Sequence, residues 1–193
     1  MKKHIVIITI CAVALLISVV IWQLKIRKTA GFFNELWNPN FDNIWSIEDE
    51  NEFLIALDVW LGSKCTYGEA MERLSDAEKT FYLVFQLEAE VNNGGFSQFF
   101  FNTSGNFANE TADALRAIGA DKTAEIYLRA IGVFGGEVPK NRRERQDMLE
   151  KAKTDEVNKI LSECDREFCA YPDNLTELCY KFVFENKEQF TRN

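Results

Sequence analysis

The chain has 193 residues, with 22 lysines and arginines against 30 aspartates and glutamates, a formal net charge of −8 and a single histidine. An excess of that sign argues against a surface built to hold nucleic acid or anionic headgroups. One histidine, at position 4, leaves no material for a Ser-His-Asp triad, a Cys-His pair or a histidine metal site in the body of the chain.

The first element is IVIITICAVALLISVVIWQL, residues 5–24, a run without charge, Pro or Gly. Its length suits one crossing of a bilayer as a helix. The following KIRKTAGFF has no small-x-small cleavage site, and Ile8 and Ile10 are too bulky for lipoprotein processing at Cys11. An uncleaved single-pass anchor over 1–28 is therefore expected, then a juxtamembrane linker over 29–45 and a helical domain over 46–193. Lys2 and Lys3 before the span nearly balance Lys25, Arg27 and Lys28 after it, so the positive-inside rule does not fix the orientation. These five are the only charged residues among the first 28. The remainder thus holds 17 basic against 30 acidic residues, a net charge of −13. Such a domain attracts basic partners and repels nucleic acid.

The domain reads as all-α. SIEDENEFLIALDVWLG carries Ser46 and Asp49 in capping-box spacing, then Phe53, Leu54, Leu57, Trp60 and Leu61 at helical spacing, with Gly62 as the stop. SDAEKTFYLVFQLEAEVNN repeats the signal with Ser75 and Glu78, and is apolar nearly all round from Phe81 to Leu87, as a central buried helix is. Further on, Ala112, Leu115 and Ile118 form a short apolar face ending at Gly119. Asp121 is placed to cap a helix with the stripe Ala124, Tyr127, Leu128, Ile131 and Phe134. Arg142, Arg143 and Arg145 read as a solvated first turn capped by Asn141 and Glu144, with anion binding as the alternative. Val157, Ile160, Leu161, Cys164 and Phe168 mark the next helix, and LTELCYKFVFENKEQF the last. Cys65, Cys164, Cys169 and Cys179 lack zinc spacing and read as small buried hydrophobes. No metal, cofactor or catalytic set is expected.

Between two of these helices lies EAEVNNGGFSQFFFNTSGN, residues 88–106. Its glycines suggest a phosphate loop, yet no Lys or Arg occurs between Lys79 and Arg116. A helix–turn–helix joint fits better: Asn92, Asn93, Gly94 and Gly95 end one helix through left-handed backbone angles. Phe96, Phe99 and Phe100 then bury the next, and Asn102-Thr103-Ser104-Gly105 closes it. Glu88 or Glu90 is expected to reach the free amides of the new helix start, and Gln98 and Asn102 the backbone of an adjacent loop. Glu88, on the stripe of Phe81, Val84 and Phe85, is the one carboxylate here expected to be partly buried with a raised pKa.

This segment, followed by ALRAIGADKTAEIYLRAIGVF, resembles the bacterial DNA-mimic protein family of acidic helical domains, over roughly Ser75 to Phe134. Glu90, Asn93, Gly94, Gly95, Phe96, Gln98, Asn102, Ser104 and Gly105 carry the resemblance. It implies an all-α fold, a homodimer, and carboxylates that imitate DNA phosphates to occupy a DNA-binding protein. The densest acidic region is Glu48, Asp49, Glu50, Glu52, Glu69, Glu72, Asp76 and Glu78, and it is the candidate binding surface. The expected function is a non-enzymatic, membrane-tethered module for a basic, DNA-binding protein, without direct nucleic-acid binding. A cytoplasmic soluble domain is preferred. The alternatives are an immunity protein against a basic toxin, and a small-ligand domain using Glu88 to Asn102.

Overall fold

A computed structural model describes residues 39–152 and 154–192. Among them every regular element is helical: α1 (Phe41–Ile44), α2 (Glu50–Lys64), α3 (Asp76–Phe101), α4 (Ala108–Ala117), α5 (Asp121–Ile131), α6 (Arg142–Lys151), α7 (Asp155–Phe168) and α8 (Leu175–Glu185). The all-α expectation therefore holds for these residues. Among them no helix is long and apolar enough to cross a membrane. The span expected over 5–24 lies outside the described residues.

The packing follows from α3. Phe81, Val84 and Leu87 are wholly buried on its first half, and Phe96 and Phe100 on its second. Each such side chain contributes roughly 2–3 kcal/mol when removed from water. A helix buried on several sides needs neighbours on each, and α2, α4, α6, α7 and α8 all pack against α3. Phe96, Phe100, Tyr127, Phe134 and Phe168 meet ring against ring where α3, α5 and α7 converge. A second aromatic group joins Trp45, Phe53, Tyr180 and Phe184 between α1, α2 and α8. Cys65, Cys164 and Cys179 are buried thiols within this packing, and Cys169 is exposed.

Several local expectations need correction. Packed structure begins before residue 46, because α1 buries Ile44 against the core. Asp49, not Ser46, caps α2 by accepting from the Glu52 amide at 2.9 Å, while the Ser46 hydroxyl donates to the Asn43 carbonyl and closes α1. Gly62 does not stop α2; the helix runs on to Lys64, and the Tyr67 ring lies over the glycine. Thr66, Tyr67 and Gly68 then turn the chain with three successive positive φ values. Leu128 is 38 % exposed, and Ile126 takes its place in the core. The Ser75–Glu78 capping box is present in both directions.

Candidate functional site

The joint in α3 is narrower than a turn. Only Gly94 and Gly95 leave helical geometry, and Asn92 and Asn93 stay in the helix. Gly95 has a φ of +74°, and a Cβ there would lie 2.5 Å from Asp165 Oδ2. Both constraints exclude other residues. Gly95 aims the Phe96 amide at α7, where Asp165 Oδ1 accepts it at 2.7 Å. The Phe96 amide at the new helix start is thus served from 69 positions away and not by Glu88 or Glu90.

Glu90 has a different task. Its Oε2 accepts from the Gln98 amide at 2.6 Å and from Asn102 Nδ2 at 2.8 Å, and its Oε1 accepts from the Ser104 hydroxyl at 2.8 Å. Asn93 Nδ2 donates to Gln98 Oε1 at 3.1 Å and holds that amide in orientation. Gln98 and Asn102 therefore bind a carboxylate and not loop backbone. Glu90 clips the first half of α3 to the second and to the turn after it. The cleft beside it, lined by Tyr67, Gln86 and Ser104, encloses about 40 Å³, room for little more than one water.

Gly105 completes the motif. A Cβ there would meet Arg145 Nε at 2.7 Å and the Phe99 carbonyl at 2.8 Å. Arg145 is wholly buried, contrary to the solvated first turn expected of it. Its guanidinium donates to the carbonyls of Phe100, Asn102, Pro139 and Lys140 and to Asn106 Oδ1. The first two of these carbonyls end α3 and the last two lie in the loop before α6, and a planar five-donor group satisfies them together. Asn141 still caps α6 through the Glu144 amide at 3.1 Å.

Glu88 is half-buried, and burial pushes its carboxyl up while the Tyr171 hydroxyl partly offsets the shift. It lines a 200 Å³ depression with Asn51, Phe85 and Cys179. Asp58 is shifted further, pushed up to about 7 by burial against the opposing hydrogen bond from Gln86 at 2.9 Å. Sequence reasoning passed over Asp58 and Asp165, yet each had a readable signal: an acid in register with apolar neighbours, Leu54 and Leu61 for one, Leu161 and Phe168 for the other. Among the described residues no three His, Cys, Asp or Glu side chains are grouped to hold a metal ion.

The expected acidic surface divides. Glu78 is not part of it. It is wholly buried, with Lys64 Nζ at 2.8 Å and the amides of Ser75 and Thr191 on the same carboxylate. Glu48, Asp49 and Glu50 are exposed, and Glu52 is half-buried, at the start of α2; Glu69, Glu72 and Asp76 are exposed beyond its end. A 15-residue helix separates the two groups by about 22 Å. Asp76 shares a groove with Glu110, Asp113 and Glu137 instead. Those three were not singled out from sequence, because they come from a helix and a loop that only the fold brings beside α3.

No curated protein and no solved structure matches the chain. A family model described as DMP19-like protein matches residues 72–186, more than half of the sequence and the whole of the joint with the helices that hold it. The chain belongs to the DMP19-like family, a DNA-mimic family.

Proposed function

We infer that the chain is a membrane-tethered, non-enzymatic module that binds a basic, DNA-binding protein by offering carboxylates where DNA offers phosphates. The observation that carries this reading is the net charge of −13 over residues 29–193 in a member of a DNA-mimic family. Exposed acids three or four apart on a helix lie about 5–6 Å from one another, close to the phosphate repeat along a strand. The tether rests on the apolar run over residues 5–24 and keeps the acidic domain at the cytoplasmic face. The occupied Glu90 carboxylate and the 40 Å³ beside it speak against a small ligand bound within the joint.

The test is capture from a bacterial lysate with the full chain in neutral nanodiscs. A basic DNA-binding protein is expected, displaced by duplex DNA and by moderate salt. The set Glu48→Gln, Asp49→Asn, Glu50→Gln, Glu52→Gln keeps the α2 cap, because asparagine caps as well as aspartate. Capture of no basic protein, or of one indifferent to duplex DNA, counts against the reading.

A further inference from the structure

An open groove of about 920 Å³ lies between the first turns of α3, α4, the end of α5 and the 136–140 loop. Its floor is apolar. Leu83, Ala112, Ala114 and Ile131 are buried beneath it, and Leu128 stands 38 % exposed at its side. Its charged lining is Asp76, Glu110, Asp113 and Glu137 against Lys79 and Lys140. Lys140 is committed to Glu110 Oε1 at 2.9 Å. Asp113 is 85 % exposed on its side chain, with one 3.3 Å contact to Arg116.

Glu110 Oε2 is different from the rest. It is buried and accepts no hydrogen bond. Its inaccessible position leaves the exposed carboxylates of Asp76, Asp113 and Glu137 as the groups that a cation from outside reaches. An array that imitates DNA needs exposed carboxylates and has no use for an apolar floor. Apolar floor and acidic rim together match helix-in-groove recognition, in which residues at i, i+3, i+4 and i+7 fill the groove while the other face reaches the rim.

The geometry points to this groove as the docking site of an amphipathic basic helix of a partner protein, its apolar face on Leu128 and the floor and its cations on Asp76, Asp113 and Glu137. The assignment rests on the reading of the chain as an acidic interaction module, and names the surface and the kind of segment that it takes.

Two synthetic peptides of equal length and charge are titrated calorimetrically against the full chain in phosphatidylcholine nanodiscs, with empty nanodiscs as the blank. One is a leucine–lysine amphipathic helix; the other replaces each leucine by serine. The amphipathic peptide is expected to bind one to one, at least tenfold tighter than its serine counterpart. Leu128→Ser and the pair Asp113→Asn, Glu137→Gln are each expected to weaken it tenfold, and Glu185→Gln with Glu188→Gln, exposed acids outside the groove, to leave it unchanged. All of these sites are surface positions, and circular dichroism checks that the variants fold. Equal binding of both peptides, indifference to Leu128→Ser, or no binding of the amphipathic peptide overturns the groove assignment. Those results leave the acidic-module reading to the lysate capture, which succeeds or fails independently.

Discussion

Asp58 and Asp165 show what a carboxylate does when it is placed on the apolar side of a helix. Asp165 receives the Phe96 amide; Asp58 receives only the neutral Gln86 amide and is pushed up to about 7. Between about pH 4 and 7 the folded chain therefore keeps a proton that the unfolded chain releases, so Asp58 lowers stability as pH rises through that window, by on the order of 2–4 kcal/mol. Above pH 7 its effect is constant. Asp58→Asn removes this term. The variant is expected to gain on the native chain from pH 4 to 7 and to remain the more stable above it, as urea unfolding at about pH 4.5, 6 and 8 would show. A constant difference between the two across these pH values would refute the assignment. The Glu90 clip follows a different logic: its oxygens are met by amide and hydroxyl donors, so polar groups that look like ligand contacts in sequence satisfy one another. Phe96, Phe99 and Phe100 were legible as core because their spacing alone decides it. The partners of Glu90, Gln98 and Asn102 were not, because side chains of that length reach several acceptors equally well.

Helix ends divide into those capped locally and those capped from afar. Ser75 and Asn141 were legible as caps, since donor and acceptor lie three positions apart in the chain. Asp121 was not the cap it resembled. It is the first residue of α5, and Asp173, 50 positions beyond Thr123, accepts from the Thr123 amide at 2.8 Å and the Thr123 hydroxyl at 3.0 Å. Asp173→Ala is expected to cost about 1–2 kcal/mol and to speed hydrogen exchange at the first amides of α5. Asp121→Ala is expected to leave both nearly unchanged. Equal effects of the two would return the cap to Asp121. The same division accounts for Arg145, which sits among charged residues in sequence and at the shared end of α3 and its following loop in the fold.

Across the whole molecule the charge total was legible and its distribution was not. Composition counts Glu78 with the surface acids, whereas packing places it against Lys64 inside. It also cannot show that Asp76 keeps company with Glu110, Asp113 and Glu137 rather than with Glu48 to Glu52. Thirteen uncompensated negative charges repel one another, and salt shortens the reach of that repulsion from roughly 20 Å at 20 mM to about 7 Å at 200 mM. Thermal unfolding of the full chain is therefore expected to shift upward by about 2–4 °C over that range. A downward shift would mean that its ion pairs outweigh the repulsion. The joint in α3 has a consequence in time as well. Its amide acceptor is Asp165 and its carbonyl donor is Arg145, 69 and 45 positions from their partners. Because synthesis runs from the amino terminus, the three buried phenylalanines behind Gly95 (Phe96, Phe99 and Phe100) leave the ribosome with neither clasp yet made. Until Asp165 has been added, the bend that the two glycines permit lacks its amide acceptor, and the local Glu90 clip is what spans it.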